Sequence, residues 1–151
     1  MANKSSLFKH RLESDRRRYG ERHGGDAALD IIQDAARQKD REYLRYLADQ
    51  VGLSYAVAGK TALFWLAGTD DIEAVEMLVN CGAAVQPSPG SGVASPLMHA
   101  AYCNRLDMAK LLVEHGAKVD YSDPNGDTAL SIARERGHAA MAAFLEACLQ
   151  K

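Results

Sequence analysis

One short phrase recurs three times in this chain. It reads Thr61-Ala-Leu-Phe-Trp-Leu-Ala, then Ser95-Pro-Leu-Met-His-Ala-Ala, then Thr128-Ala-Leu-Ser-Ile-Ala, and its first residues lie 34 and 33 positions apart. A repeat of that length is a supersecondary unit too small to bury its own apolar side, so each copy requires a neighbour of the same kind. Every copy opens on a hydroxyl residue, whose oxygen accepts a hydrogen bond from a free amide at the start of a helix. The stretch from Asp123 to Leu145 shows the unit most completely. Asp123-Pro124-Asn125-Gly126 carries turn chemistry, Thr128 caps a short helix, Gly137 breaks it and a second helix follows.

Two further landmarks keep the same register. Gly82-Ala83 and Gly116-Ala117 recur at 34 residues, each placed as a glycine cap after a second helix. Between them Ile72, Val75, Leu78 and Val79 return as Leu106, Ala109, Leu112 and Val113, the stripe of a helix with one buried face. On phrase, glycine and stripe together, the chain resembles the ankyrin-repeat family over roughly residues 30–150. The resemblance implies an all-α solenoid of about four helix-turn-helix repeats, near residues 30–59, 60–93, 94–126 and 127–151, with a basic N-terminal extension. On this division residues 1–26 form the extension and 27–151 the repeat domain.

The outer repeats depart from the phrase, as expected where one face meets water. Ile31-Ile32-Gln33-Asp34-Ala35-Ala36 stands in for it in the first repeat, with Tyr43, Leu44 and Leu47 on the second-helix stripe. In the last repeat Glu146 takes the position filled by Val79 and Val113. The fourth letter of the phrase, usually His in this family, is Phe64, Met98 and Ser131. The Gly-His pair between helices survives as Gly137-His138, with Asp70-Asp71 and Asn104-Arg105 elsewhere.

Several function classes lose their support at the level of composition. A net charge of −2 gives no global attraction to nucleic acid or an anionic membrane. Cys81, Cys103 and Cys148 show no paired spacing, which favours a reducing compartment over a disulfide framework. No apolar run approaches the roughly 18 residues of a membrane span. The N-terminus lacks the apolar core of a secretory signal, so a cytoplasmic location is the expectation. No phosphate loop, dinucleotide, zinc-protease or nucleophile-elbow motif occurs, and no cofactor or metal is called for. His99 and Cys103 stand four apart on one helix face, a spacing open to thiol nucleophile or metal chemistry. A third orienting group, an oxyanion site and further ligands are missing from their neighbourhood in sequence, so the chain is expected not to be an enzyme.

Residues 1–26 carry seven cations (Lys4, Lys9, Arg11, Arg16, Arg17, Arg18, Arg22) against four acids. One reading is a basic arm for nucleic acid or an acidic partner. The other is a partly helical tail, with Leu7, Phe8 and Leu12 on one stripe, lying back on the acidic array. Interleaved acids and a single aromatic beside the cluster favour the tail. Gly20 and Gly24-Gly25 separate this segment from the array. The loop from Gln86 to Ala94 is one residue longer than its counterpart after Gly116. It is either a partner-reading loop or a tolerated insertion.

By resemblance, partner contacts fall on a concave face of first helices and turn tips. Carried over position by position, these are Val57, Ala58 and Lys60 with Gly68 and Thr69. Next come Ser91, Gly92 and Ala94 with Tyr102 and Cys103, then Pro124, Asn125 and Asp127 with Glu135 and Arg136. The capping repeat offers Arg37 and Gln38. Trp65, Tyr102, Tyr121 and Arg136 are the anchors expected from the energetics of known interfaces. Each has a plainer reading, Trp65 as a filler between repeats and Asp123 and Asn125 as holders of their turn. The function expected is non-catalytic binding of a dedicated protein partner, as an inhibitor or adaptor. An immunity-type inhibitor of a toxin is one form that family resemblance alone supplies.

Overall fold

Helices come in pairs along the chain. The computed structural model describes residues 3–23, 28–51, 56–57, 60–87 and 91–151. Helix α1 (Lys4–His23) comes first. The pairs α2 (Ala28–Arg37) and α3 (Arg41–Val51), α4 (Ala62–Leu66) and α5 (Ile72–Asn80), α6 (Pro96–Tyr102) and α7 (Leu106–Glu114), and α8 (Ala129–Glu135) and α9 (Ala139–Leu149) follow. First helices stack in the order α2, α4, α6, α8, and second helices in the order α3, α5, α7, α9. This is a helical solenoid in which each repeat meets its sequence neighbours. Between α3 and α4, β1 (Ala56–Val57) pairs antiparallel with β2 (Lys60–Thr61), and a single bridge from Ser122 to Thr128 marks the equivalent turn before α8. Gly24-Gly25, Ala58, Gly59 and the Ser88–Gly90 tip of the longer loop lie outside the described residues, as do the side chains of Val57 and Lys60.

The phrase starts each first helix for the reason its chemistry implies. The Thr61, Ser95 and Thr128 hydroxyl oxygens accept from the amides of Phe64, Met98 and Ser131 at 3.4, 3.2 and 3.1 Å. In the last repeat Ser131 closes the box, its Oγ accepting from the Thr128 amide at 2.9 Å. In the third, the Met98 thioether sulfur takes that place, 3.5 Å from the Ser95 amide. Second helices end on Gly82 and Gly116, with φ of +103° and +93°. The Ala83 and Ala117 amides donate back to Leu78 and Leu112 at 2.9 Å, satisfying carbonyls that the helix leaves open. Asn104 takes the same left-handed role between α6 and α7, with φ +57°, and Lys39 does so between α2 and α3 with φ +56°.

The core is a ladder of one Leu–Ala pattern. Leu63, Ala67, Leu97, Ala100, Ala101, Ala129 and Ala133 of the first helices are buried, against Val75, Leu78, Met108, Ala109, Leu112, Met141 and Leu145 of the second. Each large aliphatic side chain so buried contributes about 1.5–3 kcal/mol. Alanine at the helix crossings allows the repeats close approach. Glu146 is half-buried and accepts from Arg134 Nε at 3.2 Å.

Helix α1 lies on α2 and α3. Leu12 is buried and Phe8 packs on Tyr43 and Tyr46 with ring centroids 5.5 Å apart in both cases. Leu7, expected on the same stripe, is instead 57% exposed, because it stands about 100° round the helix from Phe8. The polar contacts are specific. Lys4 Nζ pairs with Glu42 at 2.9 Å, and Arg11 pairs with Asp40 while its guanidinium covers the Tyr43 ring at 3.9 Å. The Tyr43 hydroxyl donates to Asp15 at 2.7 Å. Burial first, and then that carboxylate, push the Tyr43 phenol well above its ordinary range. For Asp40, burial works to raise the pKa, but the Tyr43 amide and the Arg11 guanidinium outweigh it and hold the carboxyl below its usual value.

Candidate functional site

The first helices α4, α6 and α8 carry Trp65, His99 and Ile132 at one register position, four residues after each cap. That position forms a strip. The Phe64 ring stacks on His99 at 4.5 Å and 11°, and the Trp65 indole meets both edge-on, at 5.3 and 5.8 Å. His99 Nδ1 donates to the Phe64 carbonyl at 2.7 Å, which fixes the proton on that nitrogen and the ring against the preceding repeat. Phe64 itself is buried, while Trp65 is 38% and Tyr102 51% exposed. Phe64, Trp65, Met98, His99, Tyr102 and Ile132 line a cavity of about 240 Å³ open at this face.

Arg136 completes the strip. Its guanidinium lies over the Tyr102 ring at 3.8 Å, close enough for the ring quadrupole to hold the cation. His138 Nε2 lies 3.3 Å from the Tyr102 carbonyl. Tyr102 is therefore held from both its ring face and its backbone by the following repeat. Of the anchors expected from sequence, the structure brings Trp65, Tyr102 and Arg136 onto this one strip. Glu135 is exposed beside Arg136.

The turn before α8 forms a second group. Asp123 Oδ1 accepts from the amides of Asn125 and Asp127 at 2.9 and 3.0 Å, and the Asp123 amide donates to the Asp127 carbonyl at 3.0 Å. Asp123 thus holds its own turn. The Tyr121 hydroxyl donates to the Val93 carbonyl at 2.7 Å, so this half-buried side chain ties one turn tip to the preceding one. Asn125 is exposed and Asp127 half-buried at the tip.

Cys103 closes the C-terminal end of α6, its amide donating to the His99 carbonyl at 3.0 Å. The His99–Cys103 pair packs on Gly68. A Cβ on Gly68 would stand 2.7 Å from His99 Cε1 and 3.1 Å from Cys103 Sγ, so both side chains fill the space that glycine leaves. Among the described residues no cluster of three or more His, Cys, Asp or Glu side chains is placed to hold a metal ion. No helix there is long and apolar enough to cross a membrane.

A family model described as ankyrin repeats in three copies matches residues 86–148. Residues 86–148 are ankyrin repeats. The chain's curated relatives include the E3 ubiquitin-protein ligase Ufd4 of Drosophila melanogaster, 37% identical over 119 residues. The E3 ubiquitin-protein ligase hecd-1 of Caenorhabditis elegans is 38% identical over 109 residues. These matches take in 75% and 68% of this chain and 4% of each ligase. The B-cell lymphoma 3 protein homolog of Mus musculus is 39% identical over 79 residues, which is 52% of this chain and 18% of that protein. This ankyrin-repeat chain therefore spans a small part of the two ligases. Repeats of this family are typically non-catalytic and mediate protein–protein interaction.

Trp65, Tyr102 and Arg136 stand out in the sequence as anchors, whereas His99 and Ile132 join the strip, and Phe64 backs it, without doing so. The signal was present. Trp65, His99 and Ile132 keep the repeat's own spacing of 34 and 33 residues, so one register position carries a ladder.

Proposed function

We propose that this ankyrin-repeat chain is a non-catalytic binding module that holds one protein partner on the Trp65–Tyr102–Arg136 strip. The observation that carries the reading is a half-exposed pair of aromatics, Trp65 and Tyr102, fixed by their neighbours and flanking an open cavity. Aromatics held in place lose little freedom on binding, and such residues dominate interface energies. Within this class an adaptor is favoured over an inhibitor. The stretch similar to this chain takes up 4% of two proteins named as ubiquitin ligases, a share that fits a holding role better than a blocking one.

The basic helix offers less to nucleic acid than its composition implies. Lys4 and Arg11 are spent on Glu42 and Asp40, leaving Lys9, Arg16 and Arg17 among the exposed cations of α1. The test is affinity capture by the full chain, by Tyr102→Ala and by the double variant Arg16→Glu, Arg17→Glu. Charge reversal is preferred to deletion of α1, which would bare Tyr43 and Tyr46. One stoichiometric protein, kept by the α1 variant and lost by Tyr102→Ala, supports the reading. Nuclease-sensitive material lost only with the α1 variant sinks it. Assay of the bound partner then separates the two roles: activity kept marks an adaptor, and activity abolished marks an inhibitor, the toxin neutraliser included.

A further inference from the structure

We infer that the partner presents an extended acidic segment, with one large apolar side chain for the cavity between Trp65 and Tyr102 and a nearby carboxylate for the Arg136 guanidinium. The inference rests on the partner-binding reading and names the chemistry of what is bound.

The cavity sets the apolar half. At about 240 Å³ it exceeds the roughly 150 Å³ of an apolar cavity that takes up benzene. Its walls are aromatic and aliphatic, from Phe64, Trp65, Met98 and Ile132. The Trp65 indole is braced edge-on by two rings and Tyr102 by a guanidinium, so both walls stand in place before a ligand arrives. A Phe, Trp, Leu or Met side chain fits this description, and a charged one does not.

Arg136 sets the acidic half. Neighbouring arginines already have carboxylates: Arg105 pairs with Asp70 at 2.9 Å, and Arg134 with Glu146. Arg136 is exposed and makes no salt bridge with any described residue; its contact is the Tyr102 ring. A guanidinium held over a ring by attraction to its π face still has five N–H donors, in the fork that receives a carboxylate by two parallel hydrogen bonds. The acidic turn tip offers no equal site for a basic segment, since Asp123 Oδ1 already accepts two backbone amides. Glu135 is the acidic neighbour that a basic partner would use instead.

The test selects a randomised twelve-residue displayed peptide library on the folded full-length chain. The expected winners place Asp or Glu within three positions of a large apolar residue. A synthetic winner, titrated by fluorescence polarisation, should bind Arg136→Glu and Trp65→Ala each about tenfold or more weakly. Arg136→Glu should also come to prefer the same peptide with Lys in place of its acid. Arg16→Glu on α1 should leave affinity unchanged, and circular dichroism melts confirm that each variant folds. Winners rich in Lys or Arg, winners indifferent to Arg136→Glu, or a library with no winner sensitive to both variants would overturn the inference. Those results leave the partner-binding reading standing, because that reading falls only if the native partner is indifferent to Tyr102→Ala.

Discussion

A Cβ on Gly68 would stand 2.7 Å from Cε1 of His99, in the next repeat. The histidine cannot step aside cheaply, because its Nδ1 bonds the Phe64 carbonyl and its ring stacks on Phe64. Gly68→Ala should therefore displace the ring and loosen the junction of the second and third repeats. The expected cost is about 1–3 kcal/mol, as for other overpacked sites, read from the urea midpoint. A midpoint equal to that of the wild type would show that His99 moves without loss.

The inter-helix turn of the second repeat is gripped from both sides. Arg41 of α3 donates to Asp71 at 2.7 Å, and Arg105 reaches back to Asp70 at 2.9 Å and to the Gly68 carbonyl at 3.1 Å. Asp71 also caps α5 through the Ala74 amide. The Arg41–Asp71 pair is mostly shielded, whereas Asp70 is open to water. Arg41→Ala should thus cost more than Arg105→Ala, about 1–2 kcal/mol against less than about 1 in chemical denaturation.

The seat of α1 should respond to pH at both extremes. Asp40 has a folded pKa held below its unfolded value of about 3.9, so its contribution is present above that value and is lost as pH falls through the folded one. Tyr43 has a folded pKa raised above an unfolded value of about 10, so its contribution is present below that and is lost as pH rises further. Stability of the α1 contact should be level between these limits and decline outside them. Tryptophan introduced at Phe8 would report it by fluorescence. Asp40→Asn should abolish the acid limb and leave the alkaline one.

Among the described residues, Lys39 and Asn104 sit in left-handed backbone where a glycine or asparagine is easiest. Lys39 at φ +56° carries the larger strain, since Asn104 at +57° is of a type that tolerates it. Lys39→Gly should raise stability by up to about 1 kcal/mol, seen as a higher melting temperature, and Asn104→Gly should raise it less.

The repeat was legible because its signals are local and periodic. Thr61, Ser95 and Thr128 cap their helices, and Gly82 and Gly116 end theirs. The docking of α1 was less so. Its contacts, Arg11 with Asp40 and Tyr43 with Asp15, join residues 29 and 28 positions apart, which no helical spacing encodes. The strip fell between these cases. Register places Tyr102 beside the fourth repeat but does not say that the Arg136 guanidinium will lie over its ring at 3.8 Å. Tyr121 shows the converse, an exposed-looking aromatic whose hydroxyl is directed to the Val93 carbonyl.

The most direct measurement is the affinity of the captured native partner for the wild-type chain and for Tyr102→Ala, by isothermal titration at matched salt. A one-to-one complex weakened by about tenfold or more in a variant with an unchanged melt is the predicted result. Equal affinity for the two proteins, with binding lost instead in Arg16→Glu, Arg17→Glu, would contradict the account and move the site to α1.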